Sequence, residues 1–224
     1  MSILDKIRKL RALAQSDNVN EAASAAAAAE RLIQEHDIAE AELHVTEEEP
    51  CFFDAADPVA SFAKKVPTWQ TILLASLSRQ YHTAGIWIGP VYKVAGRPSD
   101  VATLRYQFAY FTVEVTRLAL KHGKGKGRTW SNSFRNGAVS AIRDSLQTAK
   151  AEARAHATST ALAIVDSRAT MAKQALTTAF PSVRKRSVNA GSLNGDGFEA
   201  GKQAAAGINQ RSQLTASGVR MLGA

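Results

Sequence analysis

A chain of 224 residues with 45% apolar and 21% charged residues has ordinary globular composition. It is long enough for one good-sized core or two modest ones, which excludes wholesale disorder. No stretch approaches the roughly 20 consecutive apolar residues that cross a bilayer, and the opening Met1-Ser2-Ile3-Leu4-Asp5-Lys6 lacks the basic-then-apolar order of an export signal. A cytoplasmic protein without membrane contact is expected. Cys51 is the only cysteine, which excludes an intramolecular disulfide and a cysteine-based zinc site within one chain.

The formal net charge of +8 hides an asymmetry. Residues 1–60 hold 5 Lys+Arg against 13 Asp+Glu, and residues 61–224 hold the remaining 23 against 7. An acidic part joined to a basic remainder suggests a polyanion-binding body, because summed positive charge concentrates phosphate-bearing partners nearby. The alternative is solubility charge, with the acidic part folded back on the basic one.

In chain order, Ser2 three residues before Asp5 and the spacing of Ile3, Leu4, Ile7, Leu10 and Leu13 predict an amphipathic first helix. Ser16-Asp17-Asn18-Val19-Asn20 reads as a turn. Glu21 to about Asp37 reads as a second helix dominated by alanine, so residues 1–44 are expected to form an acidic helical hairpin. Glu47-Glu48-Glu49-Pro50, Asp54, Asp57 and Pro58 mark residues 45–65 as a linker, interrupted by Phe52 and Phe53.

Residues 66–210 read as a basic α+β domain. It opens with a helix from Pro67 that spaces Trp69, Ile72, Leu73, Leu77 and Tyr81 helically. A β-hairpin of 85–88 and 91–95 follows, turned at Gly89-Pro90, and Arg97-Pro98-Ser99-Asp100 then starts a long helix. There Val101, Leu104, Phe108, Phe111, Val115 and Leu118 recur at steps of three and four, which predicts a core stripe, with a seam between two copies of the chain as the alternative. A fourth helix starts near Ser131 or Ser133. Thr158-Ser159-Thr160 reads as a break, Asp166 to Ala179 and Phe198 to Ile208 as helices, and 211–224 as a flexible tail. The expected fold class is α+β, predominantly helical: an N-terminal helical hairpin plus a helix, β-hairpin and long-helices domain.

Lys6-Ile7-Arg8-Lys9-Leu10-Arg11-Ala12-Leu13-Ala14, Asn20-Glu21-Ala22-Ala23 and Ala29-Glu30-Arg31-Leu32-Ile33 resemble the domain-of-unknown-function family DUF2786, met in phage, prophage and bacterial proteins. Ala95-Gly96-Arg97, Ser133-Phe134-Arg135-Asn136-Gly137-Ala138, Phe198-Glu199-Ala200-Gly201 and Ala206-Gly207-Ile208-Asn209 resemble the domain that often follows it. The resemblance implies a phage or prophage origin, hence a bacterial host cytoplasm, and brings no catalytic residues.

The strongest local candidate is His122-Gly123-Lys124-Gly125-Lys126-Gly127-Arg128-Thr129-Trp130. Alternating glycine lets backbone N–H groups approach phosphates, Lys124, Lys126 and Arg128 neutralise charge, and Trp130 offers a ring to a base, or else anchors the core. The nucleotide-binding P-loop spacing is absent. Arg135 and Arg143, continued by Lys150 and Arg154, form a basic stripe along the next helix, and Arg184, Lys185 and Arg186 form a second cluster. Solvation or pairing with the acidic part explains the stripe equally well, and such a cluster in a loop is usually a solvated run.

No catalytic, metal or cofactor site is expected. Glu152 and His156 stand one turn apart, Glu35-His36-Asp37 is a local cluster, and neither has a metal-ligand or triad pattern. The leading reading is a non-enzymatic accessory protein that binds DNA or RNA through phosphates. The alternative is an interaction module whose hairpin docks on a host or phage protein. A third is a metal-dependent nuclease using Asp100, Glu114, Asp144 or Glu152.

Overall fold

The computed structural model describes residues 3–13, 25, 28–35, 50–53, 58–63, 66–155, 157–182 and 193–218. The architecture is α+β and mostly helical, in the order α1 (Ile3–Leu13), α2 (28–35), β1 (Phe52–Phe53), β2 (Ala60–Ser61), α3 (Thr68–Gln80), β3 (Ala84–Ile88), β4 (Val91–Gly96), α4 (Pro98–His122), α5 (Arg128–Ala155), α6 (Ser159–Ala179) and α7 (Gly195–Gly218). No helix among the described residues is long and apolar enough to cross a membrane.

Two compact units result, each assembled from separated stretches. The first takes Met1–Asp37, Val115–Ala155 and Leu193–Ala224, and the second takes Ile38–Glu114 and His156–Ser192. A linear division into 1–44, 45–65 and 66–210 has no such interleaving. The unit boundaries fall where the packing puts them.

In the second unit the hairpin turns at Gly89, whose φ of +59° is the left-handed conformation that glycine adopts without a Cβ clash. β4 is the middle of an antiparallel sheet. β3 runs along it from Ala84 opposite Ala95 to Ile88 opposite Val91, while β1 and β2 pair with its two ends at Gly96 and Tyr92. The segment read as a linker thus supplies two short strands and sends Phe53 edge-on to Phe180, 5.0 Å away. Two-residue strands show no alternation, so sequence pattern does not reveal them.

Helix α6 packs on this sheet and buries Ala161, Val165, Ala172 and Leu176, and α3 buries Leu73, Leu74 and Leu77. Thr158 caps α6 by accepting the Ala161 N–H, 3.2 Å, so the polar run read as a break is a helix start. Helix α3 closes with His82 in the left-handed region, φ +52°, and Thr83 N–H donating to Ser78 O, 2.9 Å, the hydrogen bond of a Schellman cap.

Gly85 leaves the space that the Tyr92 ring fills, and the Tyr92 hydroxyl meets Ser78 Oγ at 2.9 Å. Burial pushes the Tyr92 phenol above its usual range, with the Ser78 hydrogen bond and the Arg79 charge opposing the rise. A phenol whose folded pKa is raised contributes stability that is intact below the unfolded value and lost as pH climbs beyond it, because only the unfolded chain then releases that proton. Above pH ~10 the unfolding free energy should fall by about 1.4 kcal/mol per pH unit for this residue. Alkaline denaturation of Tyr92→Phe should be shallower by that amount, and an identical slope would refute the assignment.

In the first unit α1 buries Ile7 and exposes Lys6 and Lys9, while Ala25, Ala29 and Ile33 are buried on the neighbouring helical stretch. Helices α5 and α7 cross with backbone against backbone. A Cβ on Gly137 would overlap the Phe198 carbonyl, and a Cβ on Gly201 would overlap the Phe134 carbonyl. Phe134-Arg135-Asn136-Gly137 and Phe198-Glu199-Ala200-Gly201 are one Phe-x-x-Gly pattern used reciprocally. Ser133 Oγ accepts the Asn194 N–H, 2.8 Å, and Asn194 Oδ1 accepts the Gly197 N–H, 2.8 Å, which caps α7 against α5.

Candidate nucleic-acid interface

Charge and burial single out the first unit. Its three stretches hold 17 Lys+Arg against 10 Asp+Glu, leaving 11 against 10 in the second; within it, residues 115–155 hold nine against two. Almost all of the net positive charge therefore lies on the end of α4, its connection to α5, and α5 itself.

The connection is held by packing at both ends. Fully buried Phe134 is the anchor, packed by Leu118, Ala119, Ala200 and Ala204. His122 stacks on its ring at 5.6 Å and 22°, and Trp130 stacks at 5.2 Å and 29°. Between them Lys126 N–H donates to Gly123 O, 3.0 Å, and Gly125 takes a φ of +76°. Lys124, Lys126 and Arg128 are all exposed on this anchored turn.

The remaining sequence candidates divide. Trp130 is half-buried, with Phe134 stacked on it, the α7 backbone at Gly197 close enough that a Cβ there would lie 3.1 Å from the indole, and Lys126 Nζ 5.8 Å over the ring. Arg135 is half-buried and donates to Ser131 O, 3.3 Å. Arg143 is half-buried and reaches Asp144 Oδ1 at 3.1 Å and Ser140 Oγ at 3.3 Å. Lys150 and Arg154 are half-buried too, so the stripe on α5 is less open than the turn. Arg184, Lys185 and Arg186 lie outside the described residues, as does His156 beside Glu152.

Sequence reasoning passed over Arg117 and Lys121, both exposed on α4 one turn apart and leading into the same turn. Their signal was the i, i+4 spacing of two cations at a helix C-terminus, a place where charge is also explained by the helix dipole. The first turn of α5 has no acidic residue, and Gly127 ahead of it has no side chain to cap its N–H groups. Those groups add partial positive charge beside the three cations.

The four carboxylates of the nuclease reading have other surroundings. Asp100 is held by Arg97, Asp144 by Arg143, Glu114 is buried and Glu152 is exposed. Among the described residues no three His, Cys, Asp or Glu gather as a metal would need.

No curated protein and no solved structure matches the chain. Residues 2–40, the stretch that includes α1 and α2, match the family described as Protein of unknown function (DUF2786).

Proposed function

We propose that this is a phage or prophage accessory protein that binds DNA or RNA through its phosphates, with Lys124, Lys126 and Arg128 as the principal contacts and Arg117 and Lys121 extending the track. The observation that carries the reading is the exposure of all five cations on and beside a turn anchored to a buried phenylalanine. An ordered turn presents its charges with less ordering entropy to lose on binding. Lysine as a point charge suits backbone phosphate, and summed positive charge suits a polyanion.

Binding to labelled duplex DNA across a salt series tests it. Log affinity should fall linearly with log salt, and the Lys124→Ala/Lys126→Ala/Arg128→Ala variant should flatten that slope by about 2 to 3, since each lost phosphate contact removes about 0.9. Arg143→Ala should leave the slope unchanged, because that guanidinium is already paired with Asp144. No association at low salt with duplex DNA, single-stranded DNA or RNA would refute the reading.

A further inference from the structure

The two rings that stack on Phe134 differ in exposure. Trp130 is half-buried, with Phe134 stacked on its indole, the α7 backbone at Gly197 against it and Lys126 over the ring. His122 is exposed, and its imidazole stacks at 22° on the fully buried Phe134 ring. It is the last residue of α4 and directly precedes the turn that presents Lys124, Lys126 and Arg128. An aromatic face held parallel to a buried ring, beside cations that hold phosphates, is the arrangement on which nucleobases stack.

Resting on the phosphate reading above, we infer that His122 is a base-stacking platform and that the ligand is an unpaired nucleic-acid strand, with one base on the outer face of His122 and its flanking phosphates on the cations of the turn. In a continuous duplex both faces of every base are covered by neighbouring bases, so His122 gains a partner only where a nucleotide is unpaired. The sequence pointed to Trp130 for this role; of the two rings, His122 is the more exposed.

The test compares two strands of equal phosphate number, an oligothymidylate of about ten nucleotides and the abasic phosphodiester of the same length, against the wild type, His122→Ala and His122→Phe. The wild type should bind the thymidylate about tenfold tighter than the abasic strand. His122→Ala should remove that preference while leaving abasic affinity within about twofold, and His122→Phe should keep it, because a neutral ring still stacks. Equal wild-type affinity for both strands, or a loss in His122→Ala of the same size on both, overturns the inference while leaving the phosphate reading intact. If neither strand binds at low salt, both fall together.

Discussion

Gly137→Ala and Gly201→Ala should each destabilise the first unit by about 3 kcal/mol, at the upper end of what overpacking costs. Each new methyl meets a peptide carbonyl of the opposing helix rather than the movable end of a side chain. Relief requires α5 and α7 to move apart, which loosens the contacts of Phe134 with Ala200 and Ala204. The loss exceeds the roughly 1 kcal/mol that alanine returns over glycine within a helix. Gly195→Ala is the control, since nothing lies within 4 Å of the added Cβ, and it should fall within about 0.5 kcal/mol of wild type. The two core substitutions should also combine less than additively, because one separation of the helices accommodates both methyls. Chemical denaturation of the three single variants and the double measures this. A Gly137→Ala protein as stable as wild type would show that the backbones do not touch.

Asp100→Ala should be comparably damaging in the second unit. Arg97 Nε reaches Asp100 Oδ2 at 2.8 Å and Nη2 reaches Oδ1 at 2.9 Å, with side chains only 2% and 10% exposed. Arg97 O also accepts the Val101 N–H, 3.0 Å, at the start of α4, where the carboxylate in the first turn opposes the helix dipole. Removing the carboxylate leaves a buried guanidinium without that counter-charge, a loss of about 3 to 5 kcal/mol. Replacing both residues by leucine should recover a large part of it, because neither charge then needs solvation. Urea unfolding of the two single variants and the double separates these cases. A loss below 1 kcal/mol in Asp100→Ala would mean that the pair contributes little to the fold.

Helix α4 and the β-hairpin were legible in the sequence because local rules fix them. Leu104, Phe108, Phe111, Val115 and Leu118 are buried and Val101 is half-buried, as their spacing predicts. Gly89-Pro90 lies at the turn between β3 and β4. What sequence could not supply was partnership at a distance. Phe52–Phe53 and Ala60–Ser61 become strands only because β4 offers them its edge. The two Phe-x-x-Gly patterns stood out as words, but nothing along the chain says that they face each other.

The candidate site divides in the same way. Glycines spaced between Lys124, Lys126 and Arg128 signal an exposed turn, and the three side chains are exposed. Trp130 and His122 could not be ranked beforehand, because a tryptophan beside cations suits a core anchor and a stacking platform equally. Both rings stack on Phe134, and they differ in exposure: His122 is exposed and Trp130 half-buried. The pairing of Arg143 with Asp144 was hidden for a different reason: adjacent helical positions point 100° apart, so neighbours in sequence are not expected partners.

The reciprocal glycine crossing also sets an order of events during synthesis. The ribosome releases Gly137 more than sixty residues before Gly201, with all of α6, which belongs to the other unit, emerging in between. Until then the glycine face of α5 has no α7 backbone to lie against, so a nascent chain halted before α7 emerges holds the basic turn on an unfinished scaffold. The packing around Phe134 that anchors this turn is therefore completed only once α7 has emerged.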